Sequence, residues 1–164
     1  MTAEKMMDDF SIGDVITEEL IQLEMKAKTK EEAIHELTRL LMANGDIEDE
    51  DVFAADVFQR EAEGMTGIGN GIAIPHGKSD SVIKTSLVVG KAIAPIEWES
   101  IDEKPVQVVI LFAVKDTDAN TMHIKLLQKV AMLLADEDFI ENMINAQTKA
   151  EMLELLSKDP MEEE

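Results

Sequence analysis

The stretch GIGNGIAIPHGKSDS, residues 67–81, holds four of the chain's eight glycines, a proline and one of its three histidines. Its reading turns on Pro75. The pyrrolidine ring fixes its own backbone and confines Ile74 to extended geometry, so Ile72–Ile74 reads as a short strand aimed at His76. Gly77 then lets the chain leave at an angle that other residues resist. His76 is expected at a strand end in a loop, where site residues concentrate. A surface histidine in a turn fits the same residues, and local context alone leaves the two readings open.

Working outward, LIQLEM (20–25) alternates with period two and reads as a strand. In TKEEAIHELTRLLMANG (29–45), Thr29 and Glu32 form a capping box and Gly45 supplies a stop. Ala33, Ile34, Leu37, Leu40 and Leu41 form the apolar stripe between them. A second helix is expected from about Glu48 to Glu63, ending at Gly64. Beyond the quoted stretch, Ser86–Gly90 and Val106–Phe112 read as strands. The second lies in VVILFAV (108–114), an unbroken apolar run expected of a strand covered on both faces. Helices are expected at about 122–135, 137–146 and 148–157, the second with an acidic first turn and the last capped by Thr148, with Glu151 three residues on. The order strand, two helices, three strands, three helices predicts an α/β fold with a mixed sheet and helices on both faces. Residues 1–157 are expected to form one domain, with a frayed end at 1–10 and an acidic tail at 158–164.

Composition narrows the function. The 164 residues carry a net charge of −20 and contain no cysteine. Residues 1–63 hold 18 acids and 6 bases, residues 136–164 hold 10 acids and 2 bases, and residues 64–135 balance at 7 of each. Such a chain is not expected to bind nucleic acid or anionic lipid, and its acidic flanks favour a basic protein partner. Without cysteine there is no disulfide, thiolate metal site or thiol nucleophile, which fits a reducing setting. No apolar run reaches the length of a membrane span, and the polar N-terminus does not read as a signal peptide; the expectation is a cytoplasmic protein.

Two nucleotide motifs are imitated and not met. GIGNG lacks the following helix and the spacing of a dinucleotide fingerprint, and GKS (77–79) lacks the glycine that a phosphate loop places five residues before Gly77. His123 falls at the start of a predicted helix, where the local dipole disfavours imidazolium; an incidental helix-end histidine is the alternative. His35 reads as a solvent-facing residue. Three histidines with no carboxylates clustered at ligand spacing argue against a metal site, and no cofactor is expected.

Taken together, REAEGMTGIGNGIAIPHGKSDSVIKTSLVVGKAIAPIEWESIDEKPVQVVILFAV and HIKLLQKVAMLL resemble the enzyme IIA domain of the fructose–mannitol class (type 2) of the bacterial phosphoenolpyruvate-dependent sugar phosphotransferase system. The resemblance covers roughly residues 11–157, and IEWESIDEKPVQVVILFAV is similar to the fructose branch. It implies a three-layer α/β/α fold and a phosphotransferase component. His76 matches the histidine that is transiently phosphorylated, His123 a second histidine beside it, and Arg60 an arginine facing the site. The glycine run, Gly67, Gly69 and Gly71, is expected to let backbone N–H groups approach the phosphoryl group. His123 either bonds the phosphoryl group or orients His76. Met65 stands where the family usually has a small polar residue, so no hydroxyl contact is expected from that position.

The implied mechanism is a relay. The phosphocarrier HPr donates a phosphoryl group to His76, which passes it to a cysteine of a IIB domain, and a membrane IIC partner delivers the sugar. With no cysteine in the chain, the next acceptor is expected on another polypeptide. Apolar surface near His76, such as Met65 or Met122, is expected to meet the partner. The alternative within the resemblance is a nitrogen-type regulatory protein, in which phosphorylation of His76 controls protein binding. A ligand-binding module on the same fold is the third reading, disfavoured by the intact PHG motif and Arg60.

Overall fold

Two apolar runs organise the fold by pairing with each other. In the computed structural model, which describes residues 12–116 and 122–157 and omits the side chains of Met122 and His123, they form β5 (Ser86–Ile96) and β6 (Val106–Lys115). These strands pair antiparallel from Ser86 opposite Ala113 to Lys91 opposite Val108, and again at Ile96 opposite Val106. Every residue of β6 from Val108 to Val114 is buried, as a strand covered on both faces requires. β5 runs past Gly90, where the sequence places its end, through the exposed segment Ile93–Pro95. The ladder is irregular there, a place where proline's missing N–H is tolerated.

Around this pair the sheet is mixed. β1 (Ile21–Met25) lies parallel to β5, and β3 (Ile72–Ala73) lies parallel to β6 and antiparallel to β2 (Gly67–Gly69), giving the order β1-β5-β6-β3-β2. β4 (His76–Ser79) also pairs with β6 in parallel, His76 opposite Phe112 and Ser79 opposite Lys115. β3 and β4 are thus one path along β6, cut by Pro75, which has no N–H to give a ladder. Pro75 still uses its carbonyl, which accepts from the N–H of Phe112 at 2.9 Å. His76 is therefore the first residue of a strand, where the sequence reading places it in a loop. The expected architecture holds, with five strands instead of three between the two sets of helices. The two additional ones, GIG and HGKS, have weak strand propensity, and β6 and the chain fold-back impose them.

Five helices cover the sheet: α1 (Lys30–Ala43), α2 (Glu50–Glu63), α3 (Met122–Leu134), α4 (Glu137–Asn145) and α5 (Lys149–Ser157). Thr29 caps α1 by accepting from Glu32 N–H at 3.1 Å, while Glu32 reaches back to the N–H of Lys28 at 2.8 Å, one residue beyond a strict capping box. Ala33, Ile34, Leu37 and Leu41 are buried and Leu40 half-buried, and Gly45, at φ +81°, ends the helix. Asp49 caps α2, which starts two residues later than expected at Glu50; Asp136 caps α4. Thr148 caps α5, accepting from Glu151 N–H at 3.0 Å.

Register assigns the faces. A Cβ on Gly90 would meet Met25 and Leu37, and one on Gly77 would meet Val57 and Phe53, so α1 and α2 lie on the face bearing Gly90, Gly77 and their partners Val109 and Ala113. Lys91 points the other way and donates through Nζ to the carbonyls of Ile144 and Ala146 at the end of α4. One buried apolar cluster runs from Ile12 to Leu156. The expected frayed end and acidic tail lie outside the described residues. Among those residues no helix is long and apolar enough to cross a membrane.

Gly77 is needed for closeness, not for its turn. Its φ is not positive, and an added Cβ would sit 2.7 Å from Val57 Cγ2 and 3.0 Å from Phe53 Cε1. Gly77→Ala is expected to overpack this contact and cost about 1–3 kcal/mol in urea unfolding. An unchanged midpoint would show that α2 is not held so tightly against β4.

Candidate active site

The close contact at Gly77 fixes where α2 ends. Phe53, Val57 and Arg60 are spaced four and three apart, so they share one helix face. The first two are buried against β4, and Arg60, in the last turn, emerges beside the start of that strand. Its guanidinium Nε–H donates to Nε2 of His76 at 3.2 Å, and its Nη1 donates to the carbonyl of Gly64 at 3.3 Å. On the other side of the ring, Nδ1 lies 3.1 Å from the carbonyl oxygen of Ile74. The ring of Phe112, opposite His76 in the ladder, stands edge-on at 6.1 Å.

These two contacts assign the proton. A carbonyl can only accept, so Nδ1 carries the hydrogen; a guanidinium can only donate, so Nε2 presents its lone pair. Charge agrees with geometry. Half-burial of the ring pushes the His76 pKa below its ordinary value; the bond to Ile74 opposes this, the Arg60 charge adds to the lowering, and Glu61 opposes it. The site holds a neutral imidazole whose Nε2 lone pair lies beside a planar fork of donors, an arrangement chemically able to meet an anionic electrophile.

The sequence-predicted residues do not all converge. Arg60 and His76 meet. His123 is the second residue of α3, and its side chain lies outside the described residues, as does that of Met122. Met65 is 58% exposed. Of the glycine run, Gly67 and Gly69 use their amides within the fold. The N–H of Gly67 donates to Glu99 O at 3.2 Å and that of Gly69 to Ser100 Oγ at 3.1 Å, so neither amide is offered to a phosphoryl group. Gly67 crosses the 97–103 loop so closely that a Cβ would lie 2.5 Å from Glu99 O. Gly69 and Gly71 take positive φ in the turn between β2 and β3. Gly71 uses its carbonyl to accept from the N–H groups of Gln107 and Val108. His35 is half-buried against Phe58, ring centroids 5.3 Å apart, and not simply solvent-facing. Among the described residues no group of three or more His, Cys, Asp or Glu side chains is placed to hold a metal ion.

Other residues at the site carry no sequence signal of their own. The Ile74 carbonyl is backbone. Thr66 Oγ1 donates to Glu61 Oε2 at 2.6 Å and accepts from Trp98 Nε1 at 3.0 Å. Glu61 Oε1 lies 3.4 Å from Lys30 Nζ, which bonds Glu99 at 2.7 Å. A hint is available in Trp98, the one tryptophan of the chain: a buried indole N–H needs an acceptor.

Comparison with known proteins supplies the class to which this fold belongs. Residues 14–159 match the family model described as "Phosphoenolpyruvate-dependent sugar phosphotransferase system, EIIA 2", and the chain belongs to that family of phosphotransferase components. It is 31% identical over 152 residues to a fructose-specific EIIA component of Haloferax volcanii, covering 93% of this chain and 98% of that one. It is 36% identical over 135 residues to a 2-O-alpha-mannosyl-D-glycerate-specific EIIABC component of Escherichia coli, covering 82% of this chain and 20% of that one. The chain also spans 23% of a fructose-specific EIIABC component of Bacillus subtilis, so it matches about a fifth of the length of these larger relatives. Among solved structures, the nitrogen regulatory protein IIA-Ntr of Neisseria meningitidis superimposes with a TM-score of 0.82 at 26% identity, over 88% of this chain and 98% of that one. Enzyme IIA-mannitol of Escherichia coli, solved in complex with phosphorylated IIB-mannitol, gives 0.73 at 30% identity over 86% and 96%.

The lowered pKa has a testable sign. Because the neutral ring is favoured, Nε2 keeps its lone pair as pH falls through the ordinary value of 6.5 and loses it only below. The imidazole ¹⁵N shifts of His76 are expected to titrate below that value. Arg60→Ala removes a neighbouring positive charge and should move the midpoint upward. A wild-type midpoint at or above 6.5 would contradict the site as described.

Proposed function

We propose that this chain is a phosphohistidine relay, accepting a phosphoryl group from the phosphocarrier HPr on His76 and passing it to a cysteine of a IIB domain. One observation carries the reading: the unprotonated Nε2 of His76 meets the Arg60 guanidinium at 3.2 Å. Nε2 attacks the phosphorus of the donor phosphohistidine; a new N–P bond forms as the donor's N–P bond breaks. Nε2 has no proton to lose, and Nδ1 keeps its own on the Ile74 carbonyl. Arg60 exchanges the ring nitrogen for phosphoryl oxygens as charge develops. In the second step a thiolate attacks phosphorus, an S–P bond forms, and Nε2 regains its lone pair. This sequence contains no cysteine, so the acceptor lies outside it.

His123, at the start of α3, is assigned to bond the phosphoryl group or orient His76. The exposed Met65 side chain is assigned to the partner-facing surface around the site. Fructose-type sugar uptake in the cytoplasm, upstream of a membrane IIC partner, is the favoured setting, supported by the fructose-like 96–114 segment and the Haloferax volcanii relative. The likeness to the IIA-Ntr structure, with its TM-score of 0.82, supports a second reading in which the phosphorylation state of His76 controls binding to a regulatory target.

The test is reconstitution. Incubated with phosphoenolpyruvate, enzyme I and HPr, the protein is expected to acquire an acid-labile, base-stable phosphate that maps to His76. His76→Ala should abolish it; persistent label would overturn the proposal. Arg60→Ala loses charge-assisted bonds of about 1.5–3 kcal/mol, a slowing of roughly tenfold to a hundredfold. His123→Ala should label slowly, and wild-type kinetics would remove its assigned role. Onward transfer to an added IIB domain separates relay from regulation.

A further inference from the structure

Thr66 stands at a junction that the phosphoryl chemistry does not itself require. It is 3% exposed, and its hydroxyl and its carbonyl face different parts of the site. Its hydroxyl donates to Glu61 Oε2 at 2.6 Å and accepts from Trp98 Nε1 at 3.0 Å. Its carbonyl accepts from the N–H of Ile74 at 2.9 Å. Ile74, held at its N–H, supplies from its own carbonyl the acceptor for His76 Nδ1 at 3.1 Å.

Two lines of contact therefore run from one residue to the two ring nitrogens. Along the first, Thr66 fixes the Ile74 residue whose carbonyl places the proton on Nδ1. Pro75 follows directly and narrows the backbone freedom of Ile74. Along the second, the hydroxyl anchors Glu61, the neighbour of Arg60 in the last turn of α2. The side chain of Glu61 is 5% exposed, and its other oxygen lies 3.4 Å from Lys30 Nζ. That lysine is tied in turn to Glu99 at 2.7 Å and stands 5.8 Å from the centroid of the Trp98 ring. A helix end tethered in this way keeps Arg60 aimed at Nε2. The network joins α1, the end of α2 and the 97–103 loop around one hydroxyl.

We propose that Thr66 is a positioning residue for phosphoryl acceptance: its buried hydroxyl and carbonyl hold the partners of both His76 nitrogens. The inference rests on the relay reading for its rate consequence and on geometry alone for the state of the ring. Thr66→Val keeps the shape and removes the hydroxyl, taking a donor from Glu61 and an acceptor from Trp98. Thr66→Ser keeps both bonds. Small displacements of a nucleophile cost large factors in rate.

The experiment pairs two readouts on the full chain. Imidazole ¹⁵N spectra, recorded without any carrier protein, report the His76 tautomer. Single-turnover labelling from phospho-HPr reports acceptance. Thr66→Val leaves the bond from Ile74 N–H to the residue 66 carbonyl in place, so the expected change comes through Arg60: with the guanidinium loosened from Nε2, the single Nδ1–H signature gives way in part to the other tautomer. The maximal rate should fall roughly tenfold to a hundredfold with little change in the concentration of phospho-HPr giving half the maximal rate. Thr66→Ser should restore both. A folded Thr66→Val protein with wild-type spectra and wild-type rate would overturn the proposal, as would a Ser variant as impaired as the Val variant. If the Val protein does not fold, Thr66→Ala, which drops the hydroxyl without placing a second methyl group against Glu61 and Trp98, is read by the same criteria. Failure of wild-type protein to take label would overturn the relay while leaving the tautomer result to decide the role of Thr66.

Discussion

A histidine with a group that only accepts on one nitrogen and a group that only donates on the other has one stable protonation state. That constraint governs this molecule. The Ile74 carbonyl and the Arg60 guanidinium leave His76 neutral, with its proton on Nδ1 and its lone pair on Nε2. Half-burial lowers the pKa further by penalising the charged ring. Among the described residues, Nδ1 meets a backbone carbonyl, and Nε2 keeps its lone pair at neutral pH. Asp80, close in sequence, is exposed and shares a side-chain hydrogen bond with Asp116, which together with the like charge pushes its pKa up; the ring is in contact with the Ile74 carbonyl and Arg60.

The fold provides the constraint through two residues with opposite backbone properties. Pro75 interrupts the path along β6 and leaves His76 at the start of a new strand, opposite Phe112. Gly77 lets Phe53 and Val57 approach β4 so closely that a methyl group would collide with them. The end of α2 is then a fixed distance from the ring, and Arg60, next along the same helix face, needs only its own length to reach Nε2. The cost of such closeness is sensitivity to volume, since cores packed this tightly respond to a single methylene.

Much of this architecture is legible in the residues. The capping of α1 by Thr29, the apolar stripe behind it and the unbroken run in β6 are local signals that the tertiary structure reinforces. HGKS and GIG are not legible as strands, because their ladder bonds come from a neighbour and not from their own propensities. Gly77 is visible as important, yet its reason is not: a glycine chosen for a turn and one chosen for a close approach look alike in sequence. His76 and Arg60 are named by their motif, but no spacing rule says that they touch. The glycines at 67 and 69 invite a phosphate-cradle reading, and the 97–103 loop, distant in sequence, takes their amides instead. The junction at Thr66 is built from a hydroxyl, a carbonyl and the indole of Trp98, 32 residues away, and no periodicity marks it.

Which ring nitrogen His76 presents decides the rest, and a phosphoryl group bound there would record that choice directly. In ¹⁵N-labelled protein phosphorylated by phospho-HPr, the one-bond ³¹P–¹⁵N coupling on His76 identifies the bonded atom. The hydrogen bonds described here predict phosphate on Nε2, with Nδ1 still protonated against Ile74. Phosphate on Nδ1 would mean that the Ile74 contact is broken in the reacting state, and would contradict the account.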